Sequence, residues 1–377
     1  MKIRVFEAFA GYGSQSLALE RLKRSFPKFD YEVVGISEID KYAIDAYNAL
    51  HPGVTNYGDI SKINWDEVPD FDLFTYSFPC TQISRAGQQK GMKRGSGTTS
   101  SLVWDCLSCL YIKRPKYLLM ENVPDIIGDK VREDFYDWCL QVENLGYANH
   151  TRILRSQDFG VPQSRSRIFM VSIIMGGYYF PKKIGCDRRL KDIIDYNVDE
   201  KYYKDDSVLQ KIKVEDSKVE TICINSKVNG KQPSLQDRIY DVNGIAPACC
   251  CSFLPYIAEP KIMQIGNICQ DTAKFKNRTM GRVYHIEGIS PTLNCCGGGN
   301  REPLIYINAR IRKLTPREFL RLQDVEEKDI DKIMSIGLSD SSIYKLAGNS
   351  ITISCLYHLF RKMFVETENE SQQLTLF

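Results

Sequence analysis

The residue best suited to covalent chemistry is Cys80, in Ser77-Phe78-Pro79-Cys80, directly after the apolar run FDLFTY. A thiol beside proline at a strand end is poorly placed for a core and well placed for a cleft. As a thiolate it is a nucleophile there, and a buried structural cysteine is the plainer alternative. Glu121, in Glu121-Asn122-Val123-Pro124, ends the run KYLLM. A carboxyl group at that point shares the cleft with Cys80, and partial burial raises its pKa toward proton donation. Gln163-Ser164-Arg165-Ser166-Arg167 precedes another apolar run. Alternation sets Arg165 and Arg167 on one side, which suits either an anion in the cleft or a solvated surface. Between Thr81 and Ser101, Gly87, Gly91, Gly95 and Gly97 are interspersed with Lys90, Lys93 and Arg94. Such a glycine-hinged basic loop reads as a lid over a polyanion or as an ordinary surface loop.

A second group of residues reads as a nucleoside site. Phe9-Ala10-Gly11-Tyr12-Gly13-Ser14 follows a strand and opens a helix, so the glycines admit close backbone approach and the helix start favours an anionic group. The third glycine of the dinucleotide fingerprint is missing. Glu38 stands where an acidic residue at the end of the second strand holds ribose hydroxyls. Asp59, in Gly58-Asp59-Ile60, is placed to reach an adenine amino group from the next strand end. Taken in this order, the three segments favour a nucleoside-bearing cofactor.

These residues need a scaffold, and the chain is long enough for two domains at 377 residues. Its 43% hydrophobic and 26% charged content is that of a globular protein, and the net charge of +3 excludes a polybasic one. The charge is unevenly spread, with 11 Lys and Arg against 4 Asp and Glu between Lys261 and Leu322. The start of the chain has no apolar run suited to a signal peptide or membrane span. Thirteen cysteines therefore read as reduced thiols in a cytoplasm, with no disulfide scaffold. The runs IRVFEAF, YEVVGIS, FDLFTYS, KYLLMEN and RIFMVSIIM alternate with helical stretches such as Ser14–Arg24 and Lys41–Leu50. FDLFTY counts as the fourth strand, since one more is placed before Gly58. The expected fold is α/β, a doubly wound Rossmann-like, mostly parallel sheet over residues 1–176.

Residues 177–310 break into short, charged, turn-rich pieces, expected to form a smaller, irregular β-rich domain. A weak repeat there aligns Arg238–Pro247 with Arg282–Pro291, which suggests two hairpin units or chance similarity. Thr315-Pro316-Arg317-Glu318 is a capping box with Pro at the first helical position, and ITISCLYHLFRKMF reads as a buried helix. Clear helix signals thus resume over residues 311–365, and 366–377 form a polar tail.

The ordered set FAGYGS, SEID, GDI, FPC, ENV, QSRSR, RKLTPREFLRLQ and YKLAGNS resembles the C5-cytosine DNA methyltransferases from about Phe6 to Leu359. The resemblance implies that residues 311–365 return to complete the first, cofactor-binding domain. The resemblance implies that Cys80 attacks C6 of a flipped-out cytosine, that Glu121 protonates or hydrogen-bonds ring N3, and that Arg165 holds O2 and orients Glu121. It implies S-adenosylmethionine as cofactor, with Phe9, Gly11, Gly13, Glu38, Ile39, Asp59, Ile60, Pro79, Leu102, Asn349 and Ser350 around it. Ile39 departs from the family's frequent aromatic residue against adenine, and Thr81 from its frequent Gln. Thr81, Ser84, Arg167, Arg282, Thr292 and Leu293 are the implied contacts to double-stranded DNA, with Arg282 able to read a guanine edge.

Other readings remain beside it. A tRNA cytosine methyltransferase shares the catalytic core, and a catalytically silent DNA-binding relative is a third class. The middle domain of roughly 130 residues favours duplex DNA, because sequence readout needs its own module. Cys106-Leu-Ser-Cys109, Cys249–Cys251 and Cys295-Cys296 read as packing cysteines, with no metal site expected from four histidines. Gln373, Leu374, Leu376 and Phe377 resemble the peptide that docks on the bacterial sliding clamp. A monomer, associated with the nucleoid and with or without a companion restriction endonuclease, completes the expectation.

Overall fold

The first strand shows why this chain builds a central sheet. In β1 (Lys2–Ala8), Val5, Phe6, Glu7 and Ala8 are all buried, so both faces are covered. The computed structural model describes residues 2–84, 90–203, 239–240, 256–257, 262, 264–267, 282–293, 302–307 and 310–366. The chain divides into two compact units. One comprises Met1–Gly185, Thr292–Gly297 and Thr315–Phe377; the other Cys186–Pro291 and Gly298–Leu314.

In the first unit β2 (Asp30–Ser37), β3 (Leu73–Tyr76), β4 (Tyr117–Asn122), β5 (Tyr147–Arg155) and β6 (Ser166–Ile174) join β1 in the order β2-β1-β3-β4-β6-β5. The pairs β1–β2, β1–β3 and β3–β4 are parallel. Strand β6 runs antiparallel to both β4 and β5, with Glu121 opposite Phe169. The mostly parallel sheet is as expected, with two corrections. RIFMVSIIM, the last of the apolar runs and so the one expected to complete the sheet, inserts before the edge, which is taken by β5, a polar strand with no apolar alternation. No strand lies between β2 and Gly58; that segment makes one isolated bridge, Ile36 to Asn56, so FDLFTY is the third strand.

Helices α1 (Ser14–Ser25) and α2 (Lys41–Leu50) fall where their patterns place them. Helices α3 (Cys106–Lys113) and α4 (Arg132–Asn144) cover one sheet face over a core that includes Phe6, Phe74, Tyr76, Met120, Trp138 and Met170. Cys106 and Cys109 are fully buried in this core, and burial pushes both thiols up. Cys249–Cys251 and Cys295-Cys296 lie outside the described residues. Among the described residues no group of three or more ligating side chains could hold a metal, and no helix is long and apolar enough to cross a membrane.

The capping box at Thr315 opens α5 (Pro316–Arg321). Glu318 N donates to Thr315 Oγ1 at 3.3 Å and Thr315 N to Glu318 Oε2 at 2.7 Å. Helices α6 (Glu327–Ser335), α7 (Asp340–Asn349) and α8 (Ile353–Arg361) follow, and α8 packs on α1. The segment Tyr178–Gly185 also belongs here, where the sequence placed the boundary at 176. Tyr178 Oη donates to Leu359 O at 3.0 Å, and Gly185 bridges Phe159.

In the second unit β7 (Gln264–Asn267), β8 (Arg282–His285), β9 (Leu304–Ile307) and β10 (Arg310–Lys313) pair in that order. The β8–β9 pair is parallel and the others antiparallel. The second repeat copy thus supplies β8 and a turn at Ile286-Glu287, with its strand partners drawn from elsewhere, so it is not a self-contained hairpin. The first copy lies outside the described residues apart from Ile239–Tyr240.

Candidate active site

Cys80 sits just past the end of β3, half-buried and in no disulfide. Its carbonyl accepts from Ile83 N and Ser84 N, both at 2.9 Å, so the nucleophile's loop turns at once. Glu121 is the last residue but one of the neighbouring strand β4 and is only 7% exposed. The two motifs are tied by a residue to which the sequence alone assigned no role. Asn122 Nδ2 donates to Phe78 O at 3.1 Å, and its Oδ1 accepts from Val123 N at 2.8 Å. One buried amide therefore locks the loop bearing Cys80 to the strand end bearing Glu121. Asn122 stands in the ENV run directly after Glu121, and that neighbour position was the available signal.

Burial raises the pKa of Glu121, and the charges of Arg167 and Arg165 and a hydrogen bond from Ser77 partly offset this. The two arginines differ from the expectation. Arg167 Nε is 3.0 Å from Glu121 Oε1, so the residue expected on DNA orients the carboxyl group. Arg165, expected to do so, is 2% exposed and donates to Leu293 O at 3.3 Å, Gly348 O at 3.1 Å and Ser350 O at 2.5 Å. It acts as a clasp between the QSRSR segment and the end of α7.

The cofactor candidates gather at the ends of β1 and β2. Phe9, Gly11 and Gly13 all have positive φ, at 56°, 59° and 84°. Gly13 could not carry a side chain, since a Cβ would lie 2.7 Å from Tyr47 and His51; a Cβ on Gly11 would meet nothing within 4 Å. Gly11 N donates to Glu38 Oε2 at 2.9 Å, while Glu38 Oε1 accepts from Ile39 N and Asp40 N at 2.8 Å each. Glu38 thus shapes the glycine loop. Ile39 is 71% exposed. Asp59 caps the turn Ile60–Lys62 through Ser61 N at 3.1 Å, and Ile60 is buried. Leu102 packs against the core, and Pro79 is half-buried with its carbonyl accepting from Ser100 Oγ at 2.6 Å. Asn349 ends α7 and is exposed. Ser350 Oγ donates to Tyr12 Oη at 2.6 Å, which joins the terminal motif to the glycine loop.

The remaining DNA candidates are placed more diversely. Thr81 is exposed and its hydroxyl pairs with that of Thr99 at 2.7 Å; Ser84 is half-buried. Thr292 Oγ1 donates to Ser164 O at 2.5 Å and Leu293 is 2% exposed, so this pair packs against the QSRSR segment. Arg282 starts β8 and lies beside Tyr284.

The family model for C-5 cytosine-specific DNA methylases matches residues 3–365. Type II methyltransferase M2.ScrFI of Lactococcus lactis subsp. cremoris is 33% identical, covering 96% of this chain and 99% of its own length. Orphan methyltransferase M.Rho11sI of Bacillus phage rho11s is 27% identical over 99% of this chain and all of its own. In fold, the chain is similar to the Dnmt2 methyltransferase of S. pombe, with a TM-score of 0.62 and 18% identity over 97% of this chain and 99% of that one. With its thiol, buried carboxyl and glycine loop at the strand ends, this chain belongs to the C-5 cytosine-specific DNA methylases and is an S-adenosylmethionine-dependent DNA cytosine-5-methyltransferase.

Proposed function

We propose that the enzyme acts on a cytosine turned out of duplex DNA, through a covalent bond between Cys80 Sγ and ring C6. The observation that carries this reading is the buried Glu121 carboxyl, held by Arg167 and tied through Asn122 to the loop of Cys80. Cytosine C5 is a poor nucleophile, so the ring must first be activated. Attack by the Cys80 thiolate at C6, with Glu121 donating a hydrogen bond or proton at N3, moves the electron pair toward C5. A raised pKa keeps more of the Glu121 carboxyl protonated near neutrality, which suits that donation. S-adenosylmethionine, when bound, supplies an electrophilic methyl carbon. Once C5 carries the methyl group, loss of the C5 proton to solvent restores the C5–C6 double bond and expels Cys80 as thiolate, and N3 returns to Glu121 any proton it took.

The open side of Gly11, the Glu38 carboxylate and the Asp59 turn fit a nucleoside with a zwitterionic tail. Phe9, Gly11, Gly13, Glu38, Ile39, Asp59, Ile60, Pro79, Leu102, Asn349 and Ser350 would hold it. Ring N3 and C6 are not reachable in a stacked duplex, so the base must be flipped.

Bisulfite sequencing of DNA and RNA from an expressing host tests the reading. Modified cytosine in DNA within one sequence context is expected, and modification of RNA alone would overturn it. Cys80→Ala should lose all methyl transfer while still binding cofactor; full activity in that variant would refute the adduct. The proposed clamp peptide, Gln373, Leu374, Leu376 and Phe377, lies outside the described residues. Deleting residues 373–377 should abolish capture by the sliding clamp. Association with a companion endonuclease and with the nucleoid, and a monomeric state, belong to the same proposal.

A further inference from the structure

The loop of Cys80 is stitched to a cationic turn that takes no part in the bond-making chemistry. Gly91 N donates to Gln82 O at 3.0 Å, and Gln82 N to Ser100 Oγ at 3.3 Å. Ser100 Oγ in turn donates to Pro79 O, next to the nucleophile. Between these stitches Ser96 N donates to Lys93 O at 3.1 Å, and Gly95 has φ 73°. Positive φ at the third position of a four-residue turn marks type II, so Lys93–Ser96 is a preformed turn. Lys90, Lys93 and Arg94 are exposed, and none of them is paired with a carboxylate among the described residues.

The turn is held from behind by one residue. Met92 is fully buried; its N–H donates to Asp134 Oδ2 at 2.9 Å and its carbonyl accepts from Trp104 Nε1 at 2.6 Å. Asp134 stands in the first turn of α4. Gly91 is shaped to the same carboxylate, since a Cβ there would lie 2.6 Å from Asp134 Oδ2, and its φ is 81°. A carboxylate adds negative charge to a surface whose three cations are paired with no carboxylate among the described residues, which lowers its attraction for a polyanion. Its position is therefore explained by what it holds and not by its field.

We propose that Asp134 is a positioning residue for methyl transfer: it anchors the Lys93–Ser96 turn so that Lys93 and Arg94 each meet a phosphodiester of the DNA strand whose cytosine reaches Cys80. This rests on the reading of Cys80 as a nucleophile toward DNA.

The test is the salt dependence of binding to a fluorescein-labelled duplex of mixed sequence, alongside methylation of plasmid DNA. The double variant Lys93→Ala with Arg94→Ala should flatten the slope of log Kd against log salt by about 1.8, or about 0.9 for each phosphate no longer neutralised. Asp134→Ala should weaken DNA binding roughly tenfold and flatten the slope by at least half as much, although it removes a negative charge. Asp134→Asn keeps an acceptor for Met92 N and should restore most of both. Gly91→Ala, which crowds the carboxylate, should reproduce the loss, and cofactor affinity should stay within about twofold in every variant. The proposal is overturned if Asp134→Ala binds DNA as tightly as the parent at an unchanged slope, or if the double variant keeps the parent slope. A parent protein that binds the duplex with the expected slope but methylates no cytosine would instead refute the reading of Cys80.

Discussion

Arg167 Nε approaches Glu121 Oε1 to 3.0 Å, while Arg165, two residues earlier, turns to the carbonyls of Leu293, Gly348 and Ser350. Two arginines that alternation sets side by side therefore do different work. One tunes a carboxyl group, and the other closes the seam to the returning C-terminal segment.

Arg167→Ala should lower kcat about a hundredfold, as for loss of a preorganised charge interaction in a dry site. Arg167 also opposes the burial that raises the Glu121 pKa, so its removal lets that pKa rise further. The protonated carboxyl then persists to higher pH, and the alkaline limb of the kcat profile assigned to Glu121 should move up. Arg165→Ala should shift that limb less and instead cost roughly 3 kcal/mol of stability, because three buried carbonyls lose a donor. Single-turnover pH profiles with thermal melts separate the two; a larger profile shift in the Arg165 variant would reverse the assignment.

Asn122→Ala leaves the Phe78 carbonyl without its amide donor. The Cys80 loop should loosen relative to Glu121, with kcat down about tenfold and cofactor affinity unchanged. The alkylation rate of Cys80 by iodoacetamide reports the loop directly and should change in step with kcat.

Ser350→Ala removes the donor to Tyr12 Oη, a hydrogen bond worth about 1 kcal/mol. Because Tyr12 lies in the glycine loop, the expected effect is a cofactor Kd about fivefold higher with kcat at saturation near the parent value. Equilibrium dialysis with labelled cofactor measures it, and an unchanged Kd would remove Ser350 from the cofactor site.

Glu7 is fully buried on β1, accepts from Ser16 Oγ at 2.8 Å, and burial lifts its pKa to about 7 from 4.5. The folded state thus binds more protons than the unfolded chain between these values, so stability falls as pH rises from about 4.5 to 7. Glu7→Gln should be more stable than the parent above pH 7, by up to roughly 3 kcal/mol, with the advantage vanishing below pH 4.5. Denaturant titrations at pH 5 and 8 check this; an advantage independent of pH would show that Glu7 is not the titrating group.

Much of the site was legible because it is built from short local runs. Cys80, Glu121 and the glycine loop follow apolar strands that announce their own ends, and the capping box at Thr315 is complete within four residues. Strand β5 was not legible, since Tyr147–Arg155 has a polar edge pattern and becomes a strand only by pairing with β6. The second repeat copy does not pair as its own hairpin for the same reason, as β8 takes its partners from distant segments.

By itself the sequence determined the residue types, the strand ends that present them and the family to which their order belongs. Tertiary structure alone decided that Arg167 and not Arg165 meets Glu121, that Asn122 joins two motifs 44 positions apart, and that Ser350 reaches Tyr12 across 338. Periodicity tells which face a side chain leaves from. Which partner it meets depends on the register between strands and on where the returning helix packs, and those are set by the core as a whole.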